Sequence, residues 1–248
     1  STYVALCVNF TSCLASAFTV LFMCWSIALL LCKLLKRNKE VLTSYDEMAI
    51  LAASFIGATA YGFTDSFWFS AVEAEVYAMA MFMFSALFYV ALLWERDMFK
   101  PRGNRWLMLI CFIIGLSFGV HFMALLAIPA IGFLYFFKNY KKITIKNFIL
   151  ANIIVVGILM FIFKFLLPYT LSFFGYAEVF FVNTFGLPFN SGTIIAGIVF
   201  IAVFYYLLSY TRKKSYYQLN TLILSILFIF IGFSSWLMLP IRANAGTT

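Results

Sequence analysis

Residues 5–32 contain no charged side chain, and that run alone limits what the chain can become. About 20 mostly apolar residues suffice to cross the hydrocarbon core of a bilayer as a helix. Further apolar runs follow at about 48–64, 74–94, 106–119, 121–137, 148–167, 192–210 and 218–239. An open chain spans lipid only as helix, because every backbone amide needs an internal partner there. The pattern predicts an all-α, polytopic transmembrane helical bundle of about eight spans, a single membrane domain over residues 1–248. Composition agrees: 65% of the 248 residues are hydrophobic and 10% charged, with a mean hydropathy of +1.02. An ordinary soluble domain is roughly 45–50% apolar and about 25% charged. Soluble and disordered classes are therefore excluded. The chain opens at Ser1 directly into an apolar segment and reads as part of a longer polypeptide.

The net charge of +8 would suggest nucleic acid in a soluble protein. Here it sits in four connections, and no nucleic-acid partner is expected. Lys33, Lys36, Arg37 and Lys39 form the first, Arg96, Lys100, Arg102 and Arg105 the second. Lys138, Lys141, Lys142 and Lys146 form the third, and Arg212, Lys213 and Lys214 the fourth; only Lys164 and Arg242 lie elsewhere. If all eight runs cross, these connections share one face, which the positive-inside rule makes cytoplasmic, leaving both ends outside. The stretch 106–137 is split by Gly115, Gly119 and His121 and reads as two short spans meeting near Gly119–His121. Residues 168–191, rich in Phe around Gly175 and Gly186, read as an amphipathic interfacial segment. The five cysteines have neither CxxC nor His spacing and read as small hydrophobes, so no metal site is expected.

On the outer face the most informative stretch is Thr64 to Tyr77, with Asp65, Trp68, Glu73, Glu75 and Tyr77 leading into a span. Ionisable groups at membrane depth mark functional sites by default. On one helix Glu73 and Glu75 would point about 200° apart, so both reach one cleft only if the helix begins between them. The plainer reading makes Asp65 and Ser66 a helix cap and leaves the glutamates in interfacial water. His121, the single histidine, suits a phosphate contact, proton transfer or a simple interfacial hydrogen bond. Arg242 presents a fork suited to phosphate or snorkels to headgroups, as Lys164 does.

Four blocks carry a resemblance. They are Val8-Asn-Phe-Thr-Ser12 with Ala15–Phe22, Ser66–Tyr77, Gly115–His121 with Ala127–Ala130, and Leu239-Pro-Ile-Arg-Ala-Asn-Ala245. Together the chain resembles a bacterial family of multi-pass proteins related to an animal protein O-mannosyltransferase, within the GT-C glycosyltransferases. The resemblance implies a transferase in the bacterial inner membrane. It would move a sugar from a polyprenyl-phosphate-linked donor to a protein or glycan hydroxyl on the periplasmic side. Asp65, Glu73 and Glu75 would line its cleft, His121 and Arg242 would contact phosphate, and Trp68, Tyr77 and Asn244 would join substrate binding. Membrane lipids, the lipid-linked donor and the acceptor are the implied partners. No resident cofactor is implied, although a divalent cation is compatible with the chemistry. Family members carry an acidic outer loop after an additional first helix, which would lie before Ser1 and is where the general base is expected. The alternative is a catalytically incomplete lipid-binding or scaffold subunit of a membrane complex.

Overall fold

A computed structural model describes residues 2–39, 41–73, 75–140 and 142–234. Every regular element among them is helical. The helices are α1 (Thr2–Asn38), α2 (Ser44–Gly62), α3 (Asp65–Val72), α4 (Val76–Asp97), α5 (Asn104–Ser117), α6 (Ala127–Asn139), α7 (Ile145–Met160), α8 (Leu167–Phe185), α9 (Ser191–Lys213) and α10 (Tyr217–Phe233). A 3₁₀ turn, Phe122–Leu126, leads into α6, and a π-helical segment, Phe161–Leu166, joins α7 to α8. Each apolar run read from the sequence falls on helix over its described residues. Among the described residues, five stretches are long and apolar enough to cross a membrane: Tyr3–Arg37, Val76–Asp97, Phe122–Asn139, Ile145–Phe185 and Ser191–Lys213. Helices α5 and α10 are apolar but shorter.

The chain divides into two compact units, Ser1–Lys138 together with the chain from Phe228, and Asn139–Leu227. In the first, α4 is the buried centre, with Leu87 and Ala91 fully enclosed. It packs along α1 through rings of Phe18, Phe22 and Trp25 against Phe82 and Tyr89, with centroids 5.4–6.0 Å apart. At the C-terminal end of α4, Glu95 Oε1 lies 3.0 Å from both Lys33 Nζ of α1 and Lys138 Nζ of α6. Beside it Asp97 accepts hydrogen bonds from Arg96, Lys100 and the Trp106 indole, which fixes the turn into α5. The entry to α2 is a capping box: Thr43 Oγ1 accepts from the Asp46 N–H, and the Asp46 carboxylate accepts from the Thr43 N–H. Lys39 adds an ion pair to Asp46 at 2.6 Å.

Close helix approach in lipid favours small residues, and α5 meets the last turns of α10 through a pair of glycines. A Cβ on Gly115 would fall on the Ile229 carbonyl oxygen, and one on Gly232 on the Phe112 carbonyl oxygen.

In the second unit, α8 and α9 form a hairpin. The Glu178 carboxylate accepts from the N–H groups of Asn190 and Thr193 at 2.5 and 2.7 Å, and from the Thr193 hydroxyl at 3.0 Å. It therefore caps α9 from the neighbouring helix, satisfying amides that a helix start leaves orphaned. Gly186 closes α8 at φ 64, a left-handed conformation that suits glycine. Residues 145–185 run on as one helical stretch, where the sequence separates a span from an interfacial segment at Pro168. A proline inside a helix lacks an N–H and crowds the carbonyl four residues back. The π turn immediately before it, in which the Leu167 N–H reaches Ile162 five residues back, widens the helix there and accommodates the ring.

Gly115→Ala or Gly232→Ala should each cost roughly 1–3 kcal/mol by overpacking. Gly157→Ala and Gly197→Ala have nothing within 4 Å of the new methyl and should be neutral or stabilising by about 0.5–1 kcal/mol. Thermal unfolding in detergent reads both signs. A second test concerns Asp46, held down from 3.8 to about 2 chiefly by Lys39, with Thr43 adding to it. A depressed carboxyl contributes stability above its ordinary pKa and loses it as pH falls through the folded value. The melting-temperature gap between the wild type and Asp46→Asn should therefore close as pH drops from about 4 towards 2.

Candidate functional site

Helix α3 packs by burying Phe67 against Tyr61, with ring centroids 4.7 Å apart, and by accepting the Cys13 thiol on the Ala71 carbonyl at 3.3 Å. The helix ends at Val72, although the sequence beyond has good helix propensity. Glu73 (φ −85, ψ 137) and Glu75 (φ −121, ψ 170) are both extended, and α4 starts at Val76. The Glu75 N–H donates to the Glu73 carbonyl at 2.9 Å. Both glutamates therefore lie outside the helices, and α4 begins after Glu75 rather than between the two.

The second connection follows α5. Successive turns, from the Phe118 N–H to Gly115 through the His121 N–H to Ser117, unwind the helix end. His121, itself extended, then caps the 3₁₀ turn: its Nδ1 accepts the Met123 N–H at 3.2 Å. With Nδ1 occupied as an acceptor, the neutral ring carries its proton on Nε2, which remains a donor. The imidazole lies 5.8 Å from the Tyr77 ring.

These two connections and the N-terminal turns of α1 enclose an open cleft of about 760 Å³. Helix α1 contributes Cys7, Val8, Thr11 and Ser12. Glu75, Val76 and Met79 come from the start of α4, and Gly119 and Val120 from the turn after α5. Glu75 is the charged side chain among the described lining residues. Tyr77 and His121 each follow a lining residue directly and pair at the margin. Glu73 is exposed beside the cleft but is not part of its lining. Asp65 is exposed in the first turn of α3, behind a cap residue that is Thr64. Trp68 stacks on Phe63 at 6.2 Å, outside the lining. Arg242 and Asn244 fall outside the described residues. The last described turn of α10 reaches the same corner, where Phe233 packs edge-on against Phe118 at 6.0 Å. Among the described residues, no three His, Cys, Asp or Glu side chains group as metal ligands.

Three of the four sequence blocks thus meet at one cleft: residues 8–12, the glutamate block and the turn ending at His121. Residues 1–144, which hold all of them, match the family described as the protein O-mannosyl-transferase TMEM260 N-terminal domain. The chain belongs to that family. Comparisons with curated proteins and with solved structures gave no match. The match takes in α1 to α6, the helices that build the cleft, and ends in the connection before α7.

Of the lining residues, only Glu75 was a candidate from the sequence. Val8, Val76, Met79 and Val120 are ordinary apolar residues in apolar runs, and the only advance signal for them was their place in or beside the shared blocks. For His121, alanine should lose the cap on Met123 and cost about 1 kcal/mol, while asparagine, a strong cap former, should recover most of it. Thermal unfolding of His121→Ala and His121→Asn makes that comparison.

Proposed function

We propose that this chain is the membrane core of a GT-C-type glycosyltransferase of the inner membrane. It transfers a sugar, mannose by family membership, from a polyprenyl-phosphate donor to a protein hydroxyl on the non-cytoplasmic face. The observation that supports it most is the convergence of the three family blocks on a cleft with a carboxylate in its wall. Orientation has its own support. Along α4, Glu75 and Glu95 are separated by about 30 Å at 1.5 Å per residue. Lys33, Arg96, Lys100 and Lys138 gather at the Glu95 end. The positive-inside rule gives that end to the cytoplasm, so the cleft opens on the opposite face.

In the reaction the acceptor oxygen attacks the anomeric carbon, and the bond from that carbon to the lipid phosphate breaks. The acceptor proton passes to a carboxylate. The resemblance assigns that base to an acidic loop ahead of Ser1, while Glu75 accepts a hydrogen bond from the incoming hydroxyl and orients it. Negative charge develops on the departing phosphate and needs fixed donors. His121 supplies its Nε2–H, held in that tautomer by Met123, and Arg242 supplies a guanidinium.

Transfer from polyprenyl-phosphate mannose to a threonine peptide tests the reading. Glu75→Gln should lower kcat/KM by about 10- to 100-fold, the scale of one hydrogen bond to a charged group. His121→Ala and Arg242→Ala should weaken donor-lipid binding in a folded protein. Unchanged transfer by Glu75→Gln removes the proposed role, and unchanged lipid affinity in both other variants removes the phosphate assignment. A wild type that binds donor lipid yet transfers nothing returns the chain to a lipid-binding scaffold.

A further inference from the structure

The α1 wall of the cleft carries a polar group that the structure leaves unused. Ser12 is 7% exposed and lines the cleft, and its hydroxyl makes no hydrogen bond to any described residue. Its neighbour Thr11 is different, since that hydroxyl donates to the Cys7 carbonyl within the helix. Ser16, one turn further along α1, also lacks a partner, but its Oγ is sealed from solvent and the residue is not part of the lining. Ser12 Oγ, unlike Ser16 Oγ, is not sealed, so an unpaired hydroxyl on the wall of the cleft is open to a partner that enters from it.

The rest of the described lining indicates the chemistry of that partner. Glu75 offers acceptor oxygens, Ser12 offers one donor and further acceptor capacity, and Val8, Val76, Met79 and Val120 supply an apolar surface. No lysine, arginine or histidine is among the described lining residues. An anion placed beside Glu75 would meet like charge in a partly apolar site. A neutral group with hydroxyls donates to the carboxylate, exchanges a hydrogen bond with the serine and rests its carbon skeleton on the aliphatic wall.

We propose that Ser12 and Glu75 form a subsite for a neutral, hydroxyl-bearing group, with Ser12 as a direct ligand contact, and that phosphate is held outside it. The transferase reading enters only in naming two sources for that group, the sugar ring of the donor or the hydroxyl of the acceptor.

The experiment uses the full chain in detergent and compares the wild type, Ser12→Ala and Ser16→Ala. Binding is measured for a short prenyl-phosphate mannose and for the same prenyl phosphate without sugar, and then for a threonine peptide and its valine counterpart. Ser12→Ala should weaken one hydroxyl-bearing probe about 5- to 10-fold, the scale of one net hydrogen bond, and leave its hydroxyl-free partner unchanged. Loss on the mannosylated lipid places the donor sugar there, and loss on the threonine peptide places the acceptor. Ser16→Ala should bind all four probes as the wild type does. Because the Ser12 hydroxyl is unpaired in the folded chain, Ser12→Ala should melt at or above the wild-type temperature.

Equal weakening of bare and mannosylated prenyl phosphate would put phosphate at Ser12 and overturn the proposal. So would no weakening of any probe, or the same losses in Ser16→Ala, which would assign the effect to α1 packing. A wild type that shows the Ser12-dependent preference but no transfer would retain the subsite and remove the transferase reading. Active transfer with no effect of Ser12→Ala on any probe would do the reverse.

Discussion

Glu95 is the fixed point of the first unit. Its side chain is only 8% exposed, and a carboxylate that far from water is tolerable only when paired and hydrogen-bonded. The two lysines that satisfy it come from α1 and α6, so three helices are tied at one level. Helices in lipid gain little from hydrophobic burial against one another, since lipid tails are as apolar as leucine, and depend on packing and polar contacts. Removing one partner from such a pair leaves an uncompensated charge, which costs far more than a surface ion pair. The pairing sets the axial position of α4 against α1. Small and aromatic side chains between the two helices then determine which residues of α1 stand opposite the start of α4, and hence which line the cleft.

The ends of the helices illustrate a division of labour. One end of α4 is tied by charge among Lys33, Glu95, Arg96, Asp97, Lys100 and Lys138. At the other end the acidic groups Asp65, Glu73 and Glu75 are exposed, and no ion pair among the described residues involves them. Glu178, on α8, is committed to capping α9. The same residue type therefore serves as a structural latch in one place and as a cleft wall in another. What distinguishes the two is whether backbone amides or lysines come within reach.

How much of this was legible depends on which constraint acted locally. The apolar runs were readable because lipid leaves helix as the only choice, and the division near Gly119–His121 was readable from its glycines. The break at Glu73–Glu75 was not. Alanine and glutamate are good helix formers, and the Cys13–Ala71 contact that holds the end of α3 joins residues 58 positions apart. The continuity of residues 145–185 was hidden for the opposite reason. Pro168 reads as a break, yet one π turn absorbs it. Glu75 could be suspected from its charge and its block. Ser12 could not, because a serine in an apolar helix usually bonds back to its own turn, as Thr19 does to Ala15. Only the structure shows that Ser12 does not.

The spacing along α4 has a consequence for where such a protein can work. Its anchored acid and its cleft acid are held about one hydrocarbon thickness apart, joined by a continuous helix about half of which is buried. A bilayer several ångströms thicker would draw one of the two carboxylates beneath the headgroups, whereas a thinner one would leave apolar rings of α4 and α1 in water. Mismatch of this kind costs fractions of a kcal/mol per ångström and is enough to sort proteins among membranes. Helix α4 thus acts as a gauge, matching the chain to a membrane of average thickness.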